Sequence, residues 1–239
     1  MTKGRGAFTL LECLVVIGIV LTLAALLVPG LSTFRGHATS VGCASNMRQI
    51  GAAFYMYAGE NNGNFPGVVG DSSASSKDDQ DGKGKQWDAQ LSSYLSIPIN
   101  TAKSPLRNSV YFCPASFPDP SYAGKSVVLL SYTYNANVGS LKSGTGENYS
   151  SIMALADLQL ASSVPGKSYV PQTGQGKNNA IVFYPTAAYY KYLADRHRGR
   201  INILFLDGHV DARSRINEKD PSSPPKNVRW TPGGALTSD

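Results

Sequence analysis

The longest apolar run of the chain lies close to its N-terminus. From Phe8 to Val28 the residues are mostly apolar, and Glu12 is the only charged residue among these 21 positions. As an α-helix the run would be about 31 Å long, close to the thickness of a bilayer core. The pattern therefore predicts a transmembrane helix over 8–28. It also makes Glu12 a candidate functional residue, because a carboxylate within hydrocarbon is costly.

An amphipathic pattern follows the apolar run. Pro29 removes a backbone donor and predicts a kink rather than an end of the helix. Apolar side chains then recur at three- and four-residue spacing, which predicts a helical continuation over 29–60. These are Val41, Ala44, Met47, Ile50, Phe54 and Tyr57. The Gly-, Asn- and Pro-containing segment 59–67 ends the predicted helix.

Shorter patterns fill the rest of the chain, 61–239. One face of 87–95 is apolar and predicts a short helix, whereas 109–114, 131–138 and 179–185 have strand character. Segment 200–215 predicts a hairpin that turns at Asp207–Gly208. The predicted fold class is α+β, with a long kinked N-terminal helix packed on a small antiparallel sheet.

Composition and charge narrow the function. The chain has 22 basic and 16 acidic residues, a net charge of +6, and no Lys/Arg block with interleaved aromatic residues, so no nucleic-acid partner is expected. A nucleophile elbow, an HExxH motif, a P-loop and a dinucleotide fingerprint are all missing from the sequence. The expectation is a protein that is not an enzyme and has no cofactor.

The N-terminus has three interpretations. Lys3 and Arg5 before the apolar run orient it with the N-terminus in the cytoplasm. A cleaved secretory signal has a shorter apolar core and a small-residue cleavage site after it, whereas a plain single-pass anchor has no use for Glu12. The third interpretation is cleavage before the apolar run.

The stretch "AFTLLE" and the apolar residues after it resemble the N-terminus of type IV pilins and type II secretion pseudopilins. In that family a prepilin peptidase cuts before the Phe and methylates the new amine, which here implies cleavage between Ala7 and Phe8. Glu12 then occupies mature position five, where the family has its hallmark Glu. The family normally has Gly before the cut, so Ala7 is a departure.

The resemblance implies a leader at 1–7, an assembly helix at 8–28 and a periplasmic head at 61–239. It implies prepilin peptidase, the inner membrane, and self or other pilin-like subunits as partners. In a filament, Glu12 of one subunit could pair with the Phe8 amine of its neighbour and set the axial stagger. Glu12 could also complement the helix dipole in the first turn of its own helix.

Two further segments resemble pilin-like proteins that carry an H-X9-DG motif. Here the motif is His197, nine residues, and Asp207–Gly208. One interpretation is structural, with a tight turn at Asp207–Gly208 and His197 bonding across the strand that enters it. The other is a metal site of His197, Asp207 and His209. We expect the structural role and no metal.

Three cysteines and one acidic loop complete the candidates. Cys13 lies in the apolar run, and the location that the resemblance implies would let Cys43 and Cys113 form a disulfide, the alternative being two buried thiols. The loop at 70–85 contains acidic residues whose spacing does not fit an EF-hand, so a solvated loop is favoured over calcium binding. They are Asp71, Asp78, Asp79 and Asp81.

The sequence as a whole predicts a pilin-like or pseudopilin structural subunit, processed by prepilin peptidase and assembled into an envelope filament. Its expected location is the inner membrane, with a single pass and a periplasmic head. The alternative is a monomeric, membrane-tethered periplasmic binding protein that reuses the prepilin signal.

Overall fold

A computed structural model describes ten segments of the chain. These are residues 9–67, 87–97, 109–116, 131–144, 148–158, 182–183, 190, 193–220, 223–231 and 234–237. The side chains at 26–33, 89, 140, 182 and 183 lie outside this description. The chain divides into two compact units, Met1–Ala38 and Thr39–Asp239.

The first element is a long helix, α1 (Leu10–Glu60), which runs through Pro29 without a break in its helical assignment. Its end is built by local sequence. Asn62 and Gly63 adopt positive φ values of 54° and 80°, and the Gly63 amide donates to the Ala58 carbonyl at 2.8 Å. This closes the helix as glycine and asparagine commonly do. The predicted end of the helix near residue 60 is confirmed.

The membrane part of the predicted fold class is wrong. Among the described residues, no helix is both long enough and apolar enough to cross a bilayer. Side chains are described along two shorter helical stretches, 10–25 and 34–60. The predicted single-pass location in the inner membrane, with the head in the periplasm, is contradicted by the same finding.

The second unit is built around a five-stranded sheet in the order β3-β1-β2-β4-β5. The strands are β1 (Tyr132–Asn135), β2 (Met153–Asp157), β3 (Val182–Phe183), β4 (Ile201–Phe205) and β5 (Val210–Arg213). The neighbours β1, β2, β4 and β5 pair antiparallel, whereas β3 pairs parallel with β1. The sheet is therefore mixed, which corrects the expectation of a purely antiparallel one.

Each face of the sheet has its own apolar cluster. Along β4, Ile201, Ile203 and Phe205 belong to one cluster and Leu204 to the other, as the two-residue period of a strand requires. The Leu204 face packs against α1 beyond residue 39 and against the short helix α2 (Trp87–Leu91). Trp230 and Val228 cover the opposite face. Both faces of the sheet are therefore covered.

The aromatic rings at the centre of the apolar cluster beside α1 pack in both edge-to-face and stacked arrangements. The Trp87 ring lies 5.5 Å from that of Tyr134 and 6.3 Å from that of Phe54. Met47, Ile50 and Phe54 of the predicted amphipathic stripe are buried here, whereas Val41 is 66% exposed. The predicted buried stripe is therefore confirmed at Met47, Ile50 and Phe54 and wrong at Val41.

One strand prediction is wrong, and one strand was not predicted. Residues 109–114 form consecutive turns, since the Phe112 amide donates to the Ser109 carbonyl at 3.0 Å. The central strand β2 was not predicted. Its sequence, MALAD, is buried at every position and so has no alternating pattern. The predicted helix near 87 and the hairpin of β4 and β5 are confirmed.

Candidate functional site

A buried disulfide is the covalent centre of the candidate site. Cys43 on α1 and Cys113 in the turns at 109–116 are bonded, with 4.9 Å between their Cα atoms and no exposure of either side chain. Asn46, one turn further along α1, donates from Nδ2 to the Phe112 carbonyl at 2.9 Å. The structure therefore joins the two cysteines that the sequence analysis pairs, and a side-chain hydrogen bond holds the same turn against α1.

The imidazole of His197 lies directly beside this disulfide. Its Nε2 atom is 3.5 Å from Cys113 Sγ and 3.1 Å from the Asp157 Oδ2 atom, and the side chain is 1% exposed. A tight turn places it there, because Arg198 and Gly199 take φ values of 60° and 77°. In the tautomer that carries its hydrogen on Nε2, the imidazole donates to Asp157 Oδ2.

Asp157 is the last residue of β2 and is fully buried. Its Oδ2 atom accepts a second hydrogen bond from the Asn202 amide of the neighbouring strand at 3.0 Å. Its Oδ1 atom and His197 Nδ1 are buried without a hydrogen-bond partner among the described residues. The carboxylate thus contacts the imidazole through Oδ2, whereas its Oδ1 atom accepts no hydrogen bond from the described residues.

Two more titratable side chains border this group. Burial lowers the pKa of the Arg196 guanidinium, and the Asp157 charge opposes that shift. Arg196 also donates to the Leu158 carbonyl. Burial raises the pKa of the Tyr132 phenol, and Asp157 raises it further. We call the four residues Cys43, Cys113, Asp157 and His197 the buried polar cluster.

The second half of the H-X9-DG motif lies at a different place. Gly208 has a φ of +92° in the turn between β4 and β5. The Asp207 Oδ1 atom accepts from the His209 amide at 3.1 Å and lies 2.6 Å from His209 Nδ1. The turn predicted at Asp207–Gly208 is confirmed, and its tip contacts α1 through the Tyr55 hydroxyl, which donates to the Leu206 carbonyl at 2.6 Å.

The alternative metal site of His197, Asp207 and His209 is not assembled. Within the described segments, only one group of three or more His, Cys, Asp or Glu side chains has its ligand atoms clustered, namely Cys43, Cys113 and His197. Their ligand atoms lie within 4.8 Å of one another. His197 also does not bond across the turn as expected, because Asp157 and the disulfide take its Nε2 atom instead.

The N-terminal candidates form a separate site on α1. Thr9 Oγ1 accepts from the Glu12 amide at 3.3 Å, and the Thr9 amide donates to Glu12 Oε2 at 2.8 Å. This reciprocal arrangement is a capping box. Hydrogen bonds from Thr9, first from its backbone and then from its hydroxyl, lower the pKa of the Glu12 carboxyl. Ala7 and Phe8 lie outside the described residues.

The helix surface beyond Glu12 is apolar and open. Its large apolar side chains are each 51–82% exposed: Leu10, Leu11, Leu14, Val15, Val16, Ile17, Ile19, Val20, Leu21 and Leu23. Cys13, a free thiol, is exposed among them. A largely apolar surface of this size favours association with another apolar partner. Pro29, for which a kink was predicted, has no described side chain, and the acidic loop at 70–85 lies within the undescribed 68–86.

Sequence reasoning missed Asp157 and Arg196. The available signal was a lone Asp at the end of the otherwise apolar run 152–158, since a carboxylate in a buried strand needs partners. Arg196 precedes the motif histidine directly and was counted only as part of the basic excess. Asp157 meets His197 through tertiary packing, which the local pattern does not encode.

Comparison of the chain with protein-family models, with curated proteins and with solved structures finds no significant match.

Proposed function

We propose that the chain is a pilin-like or pseudopilin structural subunit. In this proposal prepilin peptidase cleaves the chain between Ala7 and Phe8, and the apolar start of α1 then assembles with copies of itself or with other pilin-like subunits. The filament would be of the type II secretion or type IV pilus type, and the protein performs no catalysis.

The observation that carries the proposal is the exposed apolar surface of α1 between residues 10 and 23. Ten large side chains left in water would lose about 1.5–3 kcal/mol each relative to burial, and packing against like helices recovers that free energy. Glu12 lies near the beginning of this surface and is exposed, so its charge is accessible to a partner. An amine created at Phe8 would be a partner of opposite charge.

The second unit supports the same role. Thr39–Asp239 holds the described sheet and both apolar clusters, and its disulfide ties α1 to the turns at 109–116. A subunit that carries an exposed apolar helix needs such a stably folded domain, because an unfolded chain with that helix would aggregate nonspecifically. The buried polar cluster lies inside this unit.

Assembly can be tested with two differently tagged copies of the full chain, co-expressed with a prepilin peptidase. Leu14→Lys introduces a charge at a side chain that is 62% exposed, so we expect it to leave the folded subunit intact and reduce co-purification at least tenfold. Met56→Lys is the matched control, since Met56 is 54% exposed on the same helix beyond residue 39. Equal co-purification of wild type and the Leu14 variant would contradict the proposal.

A further inference from the structure

The buried polar cluster has the ligand set of a zinc site. Two cysteine sulfurs and one imidazole nitrogen lie within 4.8 Å of one another in the interior of the second unit, and a carboxylate oxygen lies 3.1 Å from that nitrogen. Zinc binds sulfur, nitrogen and oxygen ligands of this kind in tetrahedral structural sites. In the oxidised protein the sulfurs bond to each other, so the set is complete only after reduction.

Two of the six edges of a tetrahedral site are already close to their expected lengths. Zinc–ligand bonds of 2.0–2.3 Å put a tetrahedral nitrogen–sulfur edge at about 3.6 Å and a nitrogen–oxygen edge at about 3.4 Å. The corresponding distances from His197 Nε2 are 3.5 Å to Cys113 Sγ and 3.1 Å to Asp157 Oδ2. The sulfur–sulfur edge would be about 3.8 Å, compared with about 2 Å in a disulfide. The sulfur–sulfur edge has to open, and the Asp157 carboxylate has to move toward the sulfurs, because it lies outside the group of Cys43, Cys113 and His197 whose ligand atoms are within 4.8 Å of one another.

The elements around the cluster can hold such a site. Cys43 comes from α1, Cys113 from the turns at 109–116, Asp157 from β2 and His197 from the turn before β4, so each ligand sits on a different packed segment. All four side chains are buried, with residue exposures of 0–4%. Burial excludes competing water ligands and strengthens the attraction between the cation and the carboxylate.

We propose that reduction converts the Cys43–Cys113 disulfide into a structural zinc site formed by Cys43, Cys113, His197 and Asp157. A dithiol reductant supplies two electrons and two protons to the disulfide, giving two thiols and the oxidised reductant. Zn²⁺ then displaces the two thiol protons and binds both thiolates. His197 binds through Nε2 in the tautomer that carries its hydrogen on Nδ1, and Asp157 binds as the carboxylate.

Cys43 on α1 is then connected to the rest of the second unit in both redox states. In the oxidised state the connection is the disulfide, and in the reduced state it is the metal. This inference does not depend on the proposed function, because it concerns the interior of the second unit alone. It differs from the metal site considered from the sequence, since Asp207 and His209 take no part.

The test uses the full chain reduced with a phosphine under anaerobic conditions and then titrated with Zn²⁺ or Co²⁺. We expect one zinc per chain by native mass spectrometry, and thiolate-to-cobalt charge-transfer absorption with the visible bands of tetrahedral Co²⁺. The oxidised chain should bind neither ion. Zinc should also raise the melting temperature of the reduced protein.

Variants separate this site from adventitious binding. His197→Ala and Cys113→Ser should each weaken zinc binding at least tenfold, whereas His209→Ala and Cys13→Ser should bind as wild type does. Asp157→Asn should preserve the sulfur-to-cobalt absorption but change the visible bands. If the reduced wild type binds no zinc, or if His197→Ala binds it equally well, the proposal is overturned. The second result would mean that an unfolded chain captures the ion through its cysteines.

Discussion

Two imidazoles of this chain show how position decides what a side chain can do. His197 is 1% exposed and has its Nε2 atom between a carboxylate and a disulfide sulfur. His209 is 42% exposed in its side chain, lies flat on the Phe205 ring at 4.4 Å and contacts Asp207. A buried polar contact of the first kind costs about 1–3 kcal/mol when one partner is lost, whereas an exposed one costs much less. The contacts of His197 therefore contribute more to the stability of the interior than those of His209.

The carboxylate of Glu12 has a capping role in the structure and an assembly role in the proposed function. Glu12→Gln separates them, because glutamine still completes a capping box but carries no charge. We expect both Glu12→Gln and Glu12→Ala to be processed and to lose co-purification with a second copy. We expect only Glu12→Ala to lose helix at its N-terminus, measured by amide hydrogen exchange at residues 10–13. Normal assembly of Glu12→Gln would show that capping alone is needed.

Gly208 tests the turn of the H-X9-DG motif. Its φ is +92°, and a Cβ at this position would meet no described atom within 4 Å, so any cost comes from the backbone conformation. We expect Gly208→Val to lower the free energy of unfolding by about 1–3 kcal/mol, measured by urea denaturation. Gly208→Asn should cost clearly less, because asparagine tolerates positive φ. Equal effects of the two variants would contradict a conformational cause.

At the scale of elements, the second unit depends on a few contacts between segments distant in sequence. The disulfide joins residues 70 apart, and Tyr55 connects α1 to the β4–β5 turn. Asn135 donates from Nδ2 to the carbonyls of Met153 and Trp230 at 2.8 and 2.9 Å, which ties β1 to the C-terminal segment. Arg215 donates to the Tyr190, Leu193 and Ser223 carbonyls. These hydrogen bonds hold irregular segments that have few ladder bonds of their own.

The disulfide is the contact with the largest expected effect on stability. Replacing both cysteines by alanine should lower the free energy of unfolding by about 4 kcal/mol, the chain-entropy value for a loop of this length. Cys13→Ala is the control and should leave it unchanged, because that thiol is exposed and unbonded. Non-reducing peptide mapping should find Cys43 linked to Cys113. A double variant within 1 kcal/mol of wild type would show that packing alone holds α1 to the sheet.

At the scale of the whole molecule, the sequence predicted the elements whose signal is local. The end of α1 follows from Asn62 and Gly63, and the hairpin follows from Asp207–Gly208 between an apolar strand and a second strand. The amphipathic stripe identified Ile50 and Phe54 as core residues. The H-X9-DG spacing identified His197 as notable without indicating its partner.

The remainder could not be read from local patterns for physical reasons. Strand β2 is buried on both faces and therefore shows no alternation, so Asp157 was missed along with it. Residues 109–116 have the composition of a strand but form turns held to α1 by Cys113 and Asn46. The apolar run from Phe8 to Val28 suggested a membrane span by length and hydropathy, whereas the described helix provides none.

Processing before Phe8 is the most direct test of the proposed function. Cleavage creates the amine with which Glu12 pairs in the proposed assembly. The measurement is mass spectrometry of the intact protein and of its N-terminal peptide, isolated from cells that produce it with a prepilin peptidase. The account predicts a chain that begins at N-methylated Phe8 and lacks the first seven residues. A chain that retains Met1, or one that begins after residue 30, would contradict it.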